Sequence, residues 1–137
     1  MDIQVRFPGG KHVDATFDGF SVRTDQSPAH GGEGSAPEPF DLFLASLATC
    51  AGAYALGFCQ ARGLSTEGLS LIQRDRREAD GRLVSVELEL TLPPEFPEKY
   101  RAAIQRTVEG CKVKKALLAP PELRVTVVGA APVAAAE

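Results

Sequence analysis

Hydrophobic and polar residues alternate along most of this chain, and one stretch breaks the pattern. The alternation in DIQVRF, HVDATF and FSVRTD, parted by PGGK and DG, predicts an antiparallel meander of three strands within residues 1–25. QSPAHGGEGSAPE, residues 26–38, has no periodicity and is rich in Gly, Pro, Ser and Ala, so it reads as a long surface loop of the kind that often carries function. From Pro39 the pattern changes to a helix over 39–62 that is apolar on nearly every side. Pro39 suits its first turn, Asp41 suits the positive end of its dipole, and Arg62–Gly63 supplies a stop. Two long strands follow within 68–92, where Val84, Val86, Leu88, Leu90 and Leu92 alternate. A second helical region is expected over 97–118. There Tyr100, Ile104, Thr107, Val108 and Cys111 share one face, and Cys111 points inward if the helix runs on through Gly110. LRVTVV, residues 123–128, reads as a last strand, and 129–137 as a frayed tail. The order of elements is that of an α+β fold in a single domain spanning residues 1–137, with no internal repeat or linker.

Composition narrows the picture. At 137 residues, 44% hydrophobic and 24% charged, the chain can bury a modest core without disulfides or a structural metal. A net charge of -3 gives no basic field for nucleic acid, although Arg and Lys cluster in RDRR and KVKK. Three cysteines, an odd count, and the lack of a charged n-region at the N-terminus point to a reducing, cytoplasmic setting. With two histidines and no C-x-x-C or H-x-x-x-H spacing, no dedicated metal site is expected.

The helix over 39–62 is long enough to cross a bilayer. Asp41, Ser46, Thr49, the many small residues and the amphipathic strands on both sides argue instead for a helix enclosed by protein. One sheet in a chain of this size covers only one side of such a helix, so a homo-oligomer is expected.

The cysteines separate by position. Cys59 lies nine residues after Cys50, close to the opposite side of a helix, so the two cannot share a site and Cys59 reads as packing. Cys111 is followed by Lys112, Lys114 and Lys115, any of which could stabilise a thiolate. Asp41 is nine residues before Cys50 and also nearly opposite it, so a bend or a subunit junction is needed to bring them together.

PFDLFLASLATC resembles the signature of the OsmC/Ohr family, in which a Pro and an acidic residue open the central helix and a Leu- and Ala-rich stretch leads to a cysteine. The second cysteine, in CKV, follows 61 positions after Cys50, and the Gly-rich HGGEGSAPEP precedes the helix. The resemblance implies an α+β fold of antiparallel sheets around a long buried helix, intertwined as a homodimer with two active sites at the interface. It implies a thiol-dependent peroxidase acting on organic hydroperoxides and in some cases hydrogen peroxide, without a cofactor. Cys50 would be the peroxidatic residue and Cys111 the resolving one, closing a disulfide that a dithiol reductant, lipoylated protein in some relatives, reopens.

The family's reductases also place an Arg in a GGR-like turn of the first hairpin and a Glu ten residues before the cysteine. Here the turn reads GGK, putting Lys11 at the Arg position, and the acid is Asp41, one place later than the Glu. Lys cannot fork onto a carboxylate as Arg does, and Arg6 and Arg23 are alternative cations. An apolar substrate pocket is expected from Phe40, Phe43, Leu44 and Leu47. The alternatives are a non-enzymatic dimer that binds a small molecule or lipid, and a redox-sensing thiol protein.

Overall fold

A computed structural model describes residues 1–130 of the chain. Three strands, β1 (Gln4–Gly9), β2 (His12–Phe17) and β3 (Phe20–Thr24), form an antiparallel sheet in sequence order. Asp18 and Gly19 make the second turn with φ of 48° and 80°, the pair of positive values that a tight hairpin of this hand requires. The register sets Asp14 opposite Arg6 on one side and opposite Arg23 on the other. β4 (Ser70–Arg77) and β5 (Leu83–Thr91) pair antiparallel in a separate two-stranded sheet.

The long helix is α1 (Pro39–Ala61). Glu38 caps it with extended backbone, and its N–H donates to Asp41 Oδ2 at 3.1 Å. At the other end the Arg62 guanidinium lies 3.6 Å over the Phe58 ring and donates to the Phe58 carbonyl at 3.2 Å, placing a cation at the negative end of the dipole. Leu44, Leu47, Ala51, Ala55 and Phe58, spaced three or four apart, make the buried face. This face packs on β4 and on α2 (Arg101–Glu109) and α3 (Lys112–Leu118). By length and composition alone α1 could span a bilayer; its buried face is that of a core helix. The strands of the three-stranded sheet pack chiefly on one another, and the loop over 25–38 joins that sheet to the rest.

Two sequence expectations change. The single helical region over 97–118 is instead a 3-10 turn at Glu98–Tyr100 followed by α2 and α3. Gly110 closes α2 with bonds to the Arg106 and Thr107 carbonyls, and Cys111 is extended, with φ -60° and ψ 148°. Cys111 is therefore buried at a corner between helices rather than on a helix face. The strand expected over 123–128 is not formed: Leu123, Val125, Val127 and Val128 are all at least 85% exposed. A strand forms only where its backbone pairs with another, and among the described residues this segment pairs with none. Most of the tail expected over 129–137 lies outside the described residues.

Candidate functional site

Leu47 and Ala51 on α1 and Cys111 at the α2–α3 corner form one buried cluster, against which Cys50, Leu71, Val86, Leu88 and Val108 pack. Cys111 thus belongs to, and Cys50 borders, one apolar cluster, both as free thiols. Cys111 is 1% exposed, and Cys50 is half-buried. Its burial follows from the backbone: Cys111 N–H donates to the Val108 carbonyl at 3.1 Å and its own carbonyl accepts from Lys115 at 3.0 Å, folding the corner back onto α1. Cys59 belongs to a second cluster with Ala55, Phe58 and Ile104. Burial pushes its thiol pKa up, against a smaller opposing pull from Arg62.

A groove of about 510 Å³ runs beside Cys111 between β5, α2 and α3, walled by Leu47, Ala51, Val86, Leu88 and Ile104 and edged by Lys114. Of the four residues expected to line an apolar pocket, Leu47 is among its walls. Leu44 is buried and its carbonyl is bonded by Gln73. Phe40 and Phe43 pair at 5.3 Å at the start of the helix, where the Arg77 guanidinium lies 5.0 Å over the Phe40 ring.

The expected acid and cation are not beside Cys50 within one chain. Asp41 is exposed and engaged in the helix cap, and nine residues of helix, roughly 13 Å of rise, separate it from Cys50. Lys11 sits in the β1–β2 turn, where its Cε lies 3.5 Å from where a Cβ on Gly31 would be. It shares a cavity of about 420 Å³ with His12, Gln26 and His30. Arg6 and Arg23 flank Asp14 on the same sheet; Arg23 Nε is 4.0 Å from Asp14 Oδ2.

The loop under Lys11 is held by two carboxylates whose partners no motif announced. Asp25, 1% exposed, accepts bonds from the N–H groups of Gln26, Glu33 and Ser35 and from the Ser35 hydroxyl, at 2.8 to 3.1 Å. Its pKa is lowered to about 2, first by the Ser35 N–H, with burial opposing. Glu38 Oε1 accepts from Ser27 N–H at 2.9 Å and pairs with His30 Nδ1 at 2.8 Å. The signal available in the sequence was the type of residue alone, two acids bounding a Gly-rich stretch.

A family model described as OsmC-like protein matches residues 32–126, well over half of the chain. The chain belongs to the OsmC-like family. The resemblance first carried by PFDLFLASLATC and CKV therefore holds, and the α+β architecture matches solved OsmC-like structures. One is an osmotic-stress and detoxification response protein of Psychrobacter arcticus, 23% identical, with a TM-score of 0.72 over 83% of this chain and 85% of that one. An OsmC-like protein of Mycoplasma pneumoniae is 21% identical, with a TM-score of 0.68 over 87% of each chain. An organic hydroperoxide resistance protein of Legionella pneumophila is 22% identical, with a TM-score of 0.55 over 85% of this chain and 89% of that one. No curated protein matches.

Proposed function

We propose that this OsmC-like protein is a cytoplasmic, homodimeric, thiol-dependent peroxidase that reduces organic hydroperoxides. The observation that carries the reading is the packing of Cys50 and Cys111, far apart in sequence, into one cluster beside an apolar groove. Family membership supports it, as does the assignment of the Legionella relative to organic hydroperoxide resistance.

In this reading the Cys50 thiolate attacks the distal peroxide oxygen. The O–O bond breaks, the alkoxide takes a proton and leaves as an alcohol, and Cys50 becomes a sulfenic acid. The Cys111 thiol attacks the Cys50 sulfur, an S–S bond forms and water leaves. A dithiol reductant, lipoylated protein being one chemical class, reopens the disulfide and is itself oxidised. Lys11 serves the Cys50 of the partner protomer, since within one chain the two lie in different packing units. The uncovered apolar residues Val5, Phe7 and Phe20 on the three-stranded sheet and Leu123, Val125 and Val127 near the C-terminus favour a second copy covering them.

The engagement of Asp41 in the helix cap favours a second reading, a dimer that binds a small apolar molecule in the groove without turning it over. One assay separates the two. Reduced protein is mixed with cumene hydroperoxide and peroxide loss is followed with a dithiol and with a monothiol. The peroxidase reading expects dithiol-driven turnover that Cys50→Ser abolishes and Cys111→Ser reduces to a single event. No loss above buffer leaves the binding reading. Light scattering at micromolar concentration is expected to give twice the chain mass.

A further inference from the structure

His12 at the start of β2, Asp25 just after β3 and Glu33 in the loop are far apart in the sequence, yet one donor atom from each lies within 4.8 Å of the other two. The hairpin brings Asp25 beside His12, and the Glu33 N–H bond to Asp25 Oδ2, at 3.1 Å, carries the Glu33 carboxylate to the same place. Asp25 is fixed by its four bonds, three of which fall on Oδ2; Oδ1 accepts one, from Gln26 N–H, and keeps a lone pair free.

The other two donors are uncommitted. Among the described residues the His12 ring makes no hydrogen bond. Its Nε2 stands 3.8 Å from Glu33 Oε2, too far for a hydrogen bond. That spacing is close to the edge of a tetrahedron built from metal–ligand distances of about 2.1 Å, which is about 3.4 Å. Two carboxylates brought this near each other also repel unless a cation lies between them, and a divalent ion would balance their charge.

We propose that His12 Nε2, Asp25 Oδ1 and Glu33 form a binding site for a divalent transition-metal ion of the zinc type. One imidazole and two carboxylates are suitable ligands for such an ion, and an imidazole makes the set a poor cage for calcium or magnesium. Asp25 and its backbone donors provide a pre-set first ligand. His12 is 32% exposed and Glu33 80%, which leaves the fourth position open to water. The ion would tie the 25–38 loop to the sheet beside Lys11. The proposal is independent of peroxide chemistry.

The test is calorimetric titration of the reduced protein with zinc chloride, repeated on His12→Gln and Glu33→Gln, with thermal unfolding of each sample. Both substitutions fall at partly or largely exposed side chains, and their unfolding curves without metal show whether the fold persists. One zinc per chain is expected at this site, raising the unfolding temperature, with affinity at least about tenfold weaker in either variant. Amide resonances of Gly31, Gly32 and Gly34 should move on zinc addition, and excess magnesium should not displace the ion. Zinc binding that is unchanged in His12→Gln, as it would be if the thiols alone held the ion, overturns the proposal. So does the absence of stoichiometric binding, or loop resonances that stay in place while zinc binds.

Discussion

Gln73 on β4 donates its side-chain Nε2 to the carbonyl oxygen of Leu44 on α1 at 2.9 Å, while its own Oε1 is buried with no hydrogen-bond partner among the described residues. The bond clamps the sheet to the helix, and the orphaned acceptor opposes the gain. A typical bond of this kind contributes about 1 kcal/mol net, and an unmet buried acceptor costs roughly 1–3 kcal/mol. Gln73→Leu is therefore expected to leave the unfolding temperature unchanged or raised, and Gln73→Glu to lower it by facing a carboxylate to the Leu44 carbonyl. Thermal unfolding of both variants checks this.

Glu38 gives the loop a defined acid sensitivity. The Ser27 N–H first, and then His30, lower its pKa from 4.5 to about 2. A depressed carboxylate pKa means that its contribution to stability is complete above about pH 4.5 and is lost as the pH falls through about 2. The stability difference between the wild type and Glu38→Gln should shrink steadily as the pH falls below 4.5. Urea unfolding at a series of pH values measures it, and a difference that grows on acidification would contradict the assignment.

Gly32 is predicted to tolerate no side chain. A Cβ there would run into the Gln26 carbonyl and come within 2.8 Å of Asp25 Oδ1. Neither obstacle is the end of a flexible side chain, so Gly32→Ala must open the loop. Faster hydrogen exchange at the Glu33 and Ser35 amides, which donate to Asp25, is the expected signature.

The three thiols should alkylate in a fixed order. Cys50 is half-buried, while Cys59 and Cys111 are 0% and 1% exposed, and burial raises the Cys59 pKa. Iodoacetamide under native conditions, followed by peptide mass analysis, should modify Cys50 first and Cys59 last.

What could be read in the sequence was whatever one segment decides alone. Leu83–Thr91 alternates because the strand turns one face inward, and Pro39 opens α1 because a proline loses nothing at a first helical turn. Features that depend on distant segments were harder. LRVTVV has strand composition, but pairing is a property of two segments, and among the described residues this one is paired with no other. Asp41 looked available for chemistry because its engagement by the Glu38 N–H is a matter of cap geometry. His12, Asp25 and Glu33 follow no ligand spacing, since a hairpin and a loop together bring them near. That Cys50 borders the cluster holding Cys111 was legible only through family resemblance.

The carboxylate of Asp25 also bears on how the chain finds its shape. Every bond it accepts comes from a residue no more than ten positions away, so closing this corner costs little loop entropy. Contacts such as Gln73 with Leu44, separated by 29 positions, are slower to find. The bend between the three-stranded sheet and α1 can thus be in place early, and the remaining search is conducted by a chain that already carries its main change of direction.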